Sequence, residues 1–336
     1  MSTLQCLIFT FGAMLAPIPD EEPKPAGQEP GLAAATHRAI AIVQKAAANY
    51  PTHRNCFSCH HQTLPMLAIV TARAKAPVDL DLLRAQAEFS HKSFRERIDP
   101  LKEGRGIGGQ AMTVAYGLWT LALADWNADD TTEAMVTFLL KTQQADGHWG
   151  YQTSRPPMES SLVTCTVLSA YYIQKFASET RRDEVAAAVE RAQGWIRSTP
   201  LETGEDRAFH LWGLSLLGAD QTRIQAARQQ LLAKQRDDGG WAQLDDMESD
   251  AYATGQSLFV LQATGFPQGD PAYQRGIQFL LKTQCQDGSW FVRTRSKPVQ
   301  VFFDNGDPHG EHQFISIPAT SWATAALAAA MNPTAP

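Results

Sequence analysis

The segment KTQCQDGSW, residues 282–290, has two near copies earlier in the chain. Residues 141–149 read KTQQADGHW, and residues 234–241 read KQRDDGGW. Each copy follows a stretch whose apolar residues recur at helical spacing, which is typical of an amphipathic helix. The Asp-Gly pair then ends that helix, because glycine adopts the left-handed conformation cheaply, and the Trp returns to the core as an apolar anchor. The sequence therefore predicts a helix–turn unit that repeats every ~45–60 residues.

Two kinds of helix alternate along the chain. Six stretches contain no Lys, Arg, Asp or Glu, and a helix that is apolar on all sides has to be buried on all sides. They are residues 63–72, 111–124, 161–173, 208–217, 251–264 and 316–331. Six partners precede them and carry charge on one face, at residues 33–48, 79–97, 131–143, 183–198, 221–235 and 271–284. This alternation predicts six hairpins whose twelve helices form an inner and an outer ring, with an open solenoid of helix pairs as the alternative.

The Gln…Asp-Gly-x-Trp turns closely resemble the QW repeats of the terpenoid cyclase and protein prenyltransferase superfamily. That resemblance implies an all-α, α/α-toroid fold over residues 31–332, followed by a tail at 333–336. It also implies an apolar, terpenoid substrate. Squalene–hopene-like members place that substrate between two helical domains, whereas this chain has only one toroid.

Composition excludes several classes of protein. Hydrophobic residues make up 44% of the 336 residues and charged residues 19%, so the chain can bury a large core. The formal charge of −6 argues against a nucleic-acid binder, which needs a basic face to meet phosphates. No apolar run reaches the ~18–20 residues that a membrane-spanning helix needs.

The N-terminus resembles an export signal. Residues 4–16 read LQCLIFTFGAMLA, an apolar run ending in small residues, which predicts a signal peptide over residues 1–16. Five prolines between Pro17 and Pro30 predict an extended tether over residues 17–30. The expected location is therefore periplasmic or extracellular, with a hydrophobic arm packed on the domain as the alternative.

Connectivity places the candidate site at one end of the ring. Every loop from an outer to an inner helix emerges at the same end, and long loops on a rigid scaffold are where function concentrates. In a closed ring the first and sixth hairpins are neighbours. The loop at residues 51–62 is therefore expected to lie beneath the loop at residues 285–315.

The first of these loops reads NCFSCHHQ over residues 55–62, and C-x-x-C-H is the attachment pattern of haem c. Two thiols three residues apart can reach both vinyl groups, and the next histidine then points at the iron. The leading hypothesis is a covalent haem held by Cys56 and Cys59 with His60 as the proximal ligand. His309, His312 or Met66 would lie on the distal side.

Zinc is the competing hypothesis for the same residues. Cys56 and Cys59 form a C-x-x-C half-site, which needs two further ligands. His60 or His61 could supply one of them, and His309 or His312 from the sixth loop the other. A pair of reduced thiols, or a simple disulfide, is the alternative without a metal.

A second candidate site lies in the fifth loop, where residues 247–251 read MESDA. Squalene–hopene-like cyclases carry an Asp-x-Asp-Asp motif at this place, and its middle carboxyl protonates an alkene. The resemblance assigns that role to Asp250, with Glu248 in the first position and Ala251 where the last carboxylate would stand. The alternative is that these acids only cap the following helix.

Three functional hypotheses follow. The first is an exported haem c protein that transfers electrons to a redox partner or carries out a haem-dependent oxidation beside an apolar cavity. The second is a cyclase- or prenyltransferase-like enzyme that acts on a terpenoid through Asp250. The third is a zinc-stabilised binding module without catalysis.

Overall fold

A computed structural model describes residues 31–152, 154–297 and 301–331. The predicted signal peptide, the tether and the tail at 333–336 lie outside this range. The described residues form thirteen α-helices: α1 (Leu32–His53), α2 (Leu64–Ala72), α3 (Leu80–Arg95), α4 (Ile98–Glu103), α5 (Gln110–Leu123), α6 (Asp130–Thr142), α7 (Leu162–Phe176), α8 (Arg182–Ser198), α9 (Gly204–Leu216), α10 (Gln221–Leu232), α11 (Ala251–Ala263), α12 (Pro271–Thr283) and α13 (Gln313–Ala330). A π-helix at Cys59–Thr63 leads into α2, and 3₁₀ turns lie at Glu179–Arg181 and Gly310–His312.

Six of these helices close into an inner ring. Each of α2, α5, α7, α9, α11 and α13 packs against the next, and α13 returns to pack against α2. The other helices surround this ring, and α1 contacts both α2 and α13. The predicted all-α toroid is therefore confirmed, and the open solenoid is wrong. The helix α4 was not predicted; it is a short addition within the loop expected at residues 98–110.

The Gln of each predicted turn joins neighbouring hairpins. Gln143 Nε2 donates to the carbonyl of Ala188 in α8, and Gln235 Nε2 donates to the carbonyl of Ala272 in α12. Gln284 Nε2 donates to the carbonyl of Ala35 in α1, 2.9 Å away, and so ties the last turn to the first helix. The same side-chain nitrogens also bond within their own turns. The three turns thus share one geometry, in which the Gln side chain joins each hairpin to its neighbour.

The Trp of each turn is anchored in the same way. The indole nitrogens of Trp149, Trp241 and Trp290 donate to carbonyls ten residues earlier, at distances of 2.6, 2.8 and 3.0 Å. All three rings are buried. A buried indole nitrogen needs a hydrogen-bond acceptor. In each of these turns the acceptor is a carbonyl of the outer helix that precedes the turn. The predicted role of Trp as an apolar anchor is confirmed.

Aromatic side chains fill the interior of the ring. Trp119, Trp212 and Trp322 come from three different inner helices, and their ring centroids lie 5.3–6.5 Å apart. Phe209 and Phe259 pack against them.

Among the helices that the structure describes, none combines the length and the hydropathy that a membrane span requires.

Candidate functional site

A cavity of about 360 Å³ opens at the end of the ring where the outer-to-inner loops meet. Its lining comes from the π-helix, from the loop before α7, from the loop before α13 and from the first turn of α13. Most of the lining is apolar, including Pro156, Met158, Phe302, Phe314 and Ile315. The volume lies at the lower end of the range of about 300–1,000 Å³ that small-molecule sites occupy. The shape and chemistry fit a small apolar ligand.

One wall of this cavity carries a partly buried ion pair. Arg155 Nε donates to Glu159 Oε2 at 2.8 Å, and the second guanidinium nitrogen contacts Glu159 Oε1. The two backbones also exchange hydrogen bonds of 3.1 Å, which fixes the loop before α7. The Cys59 thiol donates to Glu159 Oε1 at 3.4 Å. Glu159 therefore connects the C-x-x-C motif with the cavity wall.

The histidines of the motif are buried and neutral. His60 lines the cavity, and burial lowers the pKa of its imidazole well below the ordinary value. His61 stacks on Tyr50 with ring centroids 4.5 Å apart, and burial lowers the pKa of His61 to about 3. The Asn305 amide donates to His61 Nε2 at 2.5 Å, and Ser58 Oγ lies 3.3 Å from His61 Nδ1. Both ring nitrogens of His61 are therefore used within the protein.

The sixth loop lies over the first, as ring closure predicts. Besides the Asn305–His61 contact, the Arg54 guanidinium donates to the carbonyl of Val301 at 2.7 Å. The two histidines of the sixth loop face elsewhere. His309 Nε2 lies 2.7 Å from Ser289 Oγ, and the rings of His309 and His312 both pack edge-on against Phe291.

The predicted ligands do not converge on a metal or haem site. Among the residues that the structure describes, no group of three or more His, Cys, Asp or Glu side chains could hold a metal ion. Cys59 is bonded to Glu159, His61 to Asn305 and Ser58, and Met66 is fully buried within α2. Haem c as the cofactor, with zinc as its alternative, is therefore wrong. The C-x-x-C-H spacing brings these side chains close together in the sequence. It gives no information on whether their sulfur and nitrogen atoms are hydrogen-bonded to other residues of the protein.

A buried carboxyl lies on the inner helices, where no acid was predicted. Glu205, in the first turn of α9, is 3% exposed. Thr164 Oγ1 donates to its Oε1 at 3.0 Å, and Tyr252 Oη and Gln256 Nε2 donate to its Oε2 at 2.9 and 2.8 Å. Burial nevertheless raises the pKa of Glu205 to about 7, so the carboxyl holds its proton below neutral pH.

The two predicted acids of the fifth loop have different environments. Glu248 is exposed, whereas Asp250 is partly buried and caps α11 by accepting from the Ala253 N–H at 2.9 Å. Gln243 Nε2 donates to Asp250 Oδ2 at 2.9 Å. Burial raises the pKa of Asp250 to about 6. Asp250 therefore fits both expectations, a helix cap and a carboxyl that protonates easily.

An arginine links Asp250 to the cavity wall. Arg295 Nε donates to Gln243 Oε1 at 2.8 Å, which orients the Gln243 amide nitrogen toward Asp250. The residues on both sides of this arginine, Thr294 and Ser296, line the cavity. The Arg295 charge also acts on Asp250 and Glu205. Asp250 is thus connected through Gln243 and Arg295 to the segment that forms this part of the cavity wall.

Comparison with known proteins supports the fold. No protein-family model matches the chain. A stretch of 95 residues is 32% identical to lanosterol synthase from Candida albicans, covering 24% of this chain and 13% of that protein. Because the match spans so little of lanosterol synthase, it carries no statement about the whole enzyme.

Solved structures match over nearly the whole chain. A variant of the type II terpene cyclase MstE from Scytonema, in complex with geranylgeranyl dihydroxybenzoate, has a TM-score of 0.54 and 18% identity. That match covers 89% of this chain and 97% of the cyclase chain. A glycosidase variant matches with a TM-score of 0.59 and 9% identity, covering 90% of this chain and 98% of the other. Identities this low establish a shared fold alone.

The leading functional hypothesis is therefore wrong. The local sequence similarity to lanosterol synthase and the fold shared with the type II terpene cyclase do not agree with a haem protein that transfers electrons. The side chains agree, because Cys59 and the second histidine after it, His61, are held by contacts within the protein.

Proposed function

We propose that this chain is an enzyme that converts an apolar, terpenoid-like substrate by protonating a carbon–carbon double bond at the mouth of a single toroid. The observation that carries the proposal is an apolar cavity whose wall segment holds Asp250 through Arg295 and Gln243, with the buried Glu205 on a neighbouring inner helix. The cyclase neighbour in complex with geranylgeranyl dihydroxybenzoate supports the substrate class.

Protonation of an alkene requires a carboxylic acid that is neutral before the reaction. Asp250 meets this requirement below about pH 6, because burial raises its pKa to that value. Its Oδ2 accepts from Gln243, whose amide is fixed by Arg295, so the acid has one orientation. We assign Asp250 as the proton donor, in agreement with its place in the fifth loop.

Glu205 supplies the second carboxyl that the fifth loop lacks. Ala251 stands where the resembling motif has its last carboxylate, and Glu205 is joined to the next residue, Tyr252, by a 2.9 Å hydrogen bond. Arg295 acts on both carboxyls through its charge. In this assignment Glu205 and Tyr252 position the start of α11 and tune the electrostatics around Asp250.

The interior of the ring suits a cationic intermediate. Protonation of an alkene leaves a carbocation, and the faces of aromatic rings attract cations. Trp119, Trp212 and Trp322 lie together inside the ring, and Tyr252, also on an inner helix, donates to Glu205. Loss of a proton then ends the reaction, so the product is an isomer of the substrate.

The experiment compares two matched capping residues. Asp250→Asn keeps a side chain that caps a helix but removes the acid, whereas Asp270→Asn makes the same change at the start of α12 on the outer ring. Wild type and both variants are incubated with squalene, farnesol, a geranylgeranyl-substituted dihydroxybenzoate and a panel of aryl glucosides, and products are identified by mass spectrometry. We expect wild type and Asp270→Asn to convert a polyene into isomeric products. The rate of this conversion should fall by about 100-fold or more in Asp250→Asn.

Two results would contradict the proposal. One is cleavage of glucosides without conversion of any polyene, which would favour a glycosidase. The other is equal polyene conversion by Asp250→Asn and wild type, which would exclude Asp250 as the acid.

A further inference from the structure

The two cysteines of the C-x-x-C motif differ in exposure and in hydrogen-bond partner, and the proposed function uses neither of them. Both Cys56 and Cys59 are free thiols. Cys56 is partly exposed, and its Sγ lies 3.6 Å from Tyr50 Oη. Cys59 begins the π-helix, is 4% exposed, and donates its S–H to Glu159 Oε1 at 3.4 Å. The two cysteines lie three residues apart, Cys56 in the loop after α1 and Cys59 at the first position of the π-helix.

We propose that Cys56 and Cys59 form a redox-active dithiol that exchanges with small-molecule disulfides, with Cys56 as the attacking thiol, Cys59 as the resolving thiol and Glu159 as its base. The difference in exposure assigns the first two roles, because an external disulfide can reach Cys56 but not Cys59. The contact between Cys59 Sγ and Glu159 Oε1 assigns the third.

The exchange balances with glutathione disulfide as the oxidant. The Cys56 thiolate attacks one sulfur of glutathione disulfide, which breaks its S–S bond and releases one glutathione thiolate. Cys59 then gives its proton to Glu159 and attacks Cys56 Sγ, forming the Cys56–Cys59 disulfide and releasing a second glutathione thiolate. The two released thiolates take up the two protons of the protein thiols, one of them through Glu159. Two protein thiols are oxidised and one disulfide molecule is reduced.

A base is needed at the second step because of burial. Only the thiolate is nucleophilic, and burial, together with the Glu159 carboxylate, raises the pKa of Cys59 well above the ordinary value. Glu159 is 2% exposed and is in hydrogen-bond contact with the thiol, so it can take the proton without water. Arg155 pairs with the same carboxylate and keeps it aimed at the thiol.

Another buried cysteine provides a matched comparison. Cys165 is fully buried, and burial raises its pKa too, but its Sγ lies 3.6 Å from the carbonyl of Gly150 rather than from a carboxylate. Cys165 also has no second cysteine three residues away. The same chemistry is therefore not expected there.

The inference does not depend on the proposed function, and its test requires no substrate. The full chain is equilibrated in graded mixtures of reduced and oxidised glutathione, quenched with acid and alkylated, and the modified cysteines are identified by peptide mass spectrometry. We expect Cys56 and Cys59 to lose alkylation together along one two-electron curve, while Cys165 stays reduced. Independent oxidation of the two thiols, or no oxidation of either in excess glutathione disulfide, would overturn the proposal.

Variants then test the assigned roles. Cys59→Ser should accumulate a stable mixed disulfide of glutathione on Cys56, whereas Cys56→Ser should leave Cys59 reduced. Glu159→Gln should slow resolution of the mixed disulfide roughly tenfold or more, with partial rescue by Glu159→Asp. Cys165→Ser, the matched control, should behave as wild type. A mixed disulfide on Cys59 instead of Cys56 would contradict the assignment of Cys56 as the attacking thiol. Resolution of the mixed disulfide at the wild-type rate in Glu159→Gln would show that Glu159 is not the base. The wild-type titration stays decisive even where a variant folds poorly.

Discussion

Tyr252 Oη donates a 2.9 Å hydrogen bond to Glu205 Oε2 and so joins two neighbouring inner helices, α11 and α9, in the interior of the ring. Four polar groups from three helices meet at this point, because Thr164 and Gln256 donate to the same carboxyl. A carboxyl in such surroundings is costly to ionise, because burial removes the water that would solvate its charge.

Glu205→Gln should change how stability depends on pH. Burial raises the pKa of Glu205 from 4.5 to about 7, so the folded state binds the proton more tightly than the unfolded state. Stability from this group is present below about pH 4.5 and is lost as pH rises to about 7, by on the order of 3 kcal/mol. Urea unfolding of wild type and Glu205→Gln at pH 5 and pH 8 measures the difference. We expect the free energy of unfolding to fall more steeply with pH in wild type.

The matched control for that measurement is Glu202→Gln, on a neighbouring, exposed residue in the loop before α9. It should leave the wild-type pH dependence unchanged. An equal pH dependence in wild type and Glu205→Gln would show that Glu205 titrates normally.

Phe314→Ala should weaken the binding of apolar ligands at the cavity. Phe314 lines the cavity and packs edge-on against His60 with ring centroids 5.5 Å apart. Losing part of this apolar contact costs about 1–2 kcal/mol, or roughly 5- to 30-fold in affinity. Titration with farnesol, followed by tryptophan fluorescence, measures the change. Phe266→Ala removes an aromatic ring that is not part of the cavity lining, and it should bind as wild type does.

Gln284→Ala should destabilise the closed ring. Gln284 is fully buried, and its amide donates to the carbonyls of Ala35 and Gly288. The variant leaves these buried carbonyls without a donor and Arg38 without its acceptor, at a cost of about 1–3 kcal/mol. The equivalent Gln143→Ala should cost less, because Gln143 is only partly buried and water can replace its bonds. Chemical denaturation of the two variants gives the comparison, and equal losses would contradict a special role for ring closure.

Gly288→Ala should cost more than Gly265→Ala. Both glycines have positive φ, +99° and +80°, so alanine is strained at each by about 1–2 kcal/mol. At Gly288 the new Cβ would also lie 2.6 Å from Arg38 Cβ and 2.9 Å from its carbonyl carbon, whereas nothing lies within 4 Å at Gly265. Overpacking adds about 1–3 kcal/mol at Gly288 alone. Melting temperatures of both variants test this ranking.

The ring could be predicted from the sequence because its signals are local. Six charge-free helices have to be buried on all sides, and the turns at Trp149, Trp241 and Trp290 repeat one pattern of residues. Their observed hydrogen bonds follow that pattern turn by turn. The short helix α4 carries no such signal, since a single turn or two of helix has too few residues to show periodicity.

The site could be predicted only in part, because its contacts join distant residues. Spacing shows that Cys56, Cys59 and His60 are close, but not that Cys59 bonds to Glu159, 100 residues away. Nor does the spacing show that the Asn305 side chain hydrogen-bonds to His61 Nε2. Glu205 was missed because an acid in the first turn of a helix is usually a solvated residue that complements the helix dipole. The available signal was its position three residues before the charge-free stretch at residues 208–217.

The most direct test of the central claim is the reaction of wild-type protein with a polyene in D₂O at pH 6. Acid-initiated conversion adds one hydron from the Asp250 carboxyl to carbon and loses a substrate proton at the end. The account predicts an isomeric product that carries one solvent-derived deuteron at carbon, and no such product with Asp250→Asn. A product without deuterium at carbon, or an equal yield of deuterated product from Asp250→Asn, would contradict it.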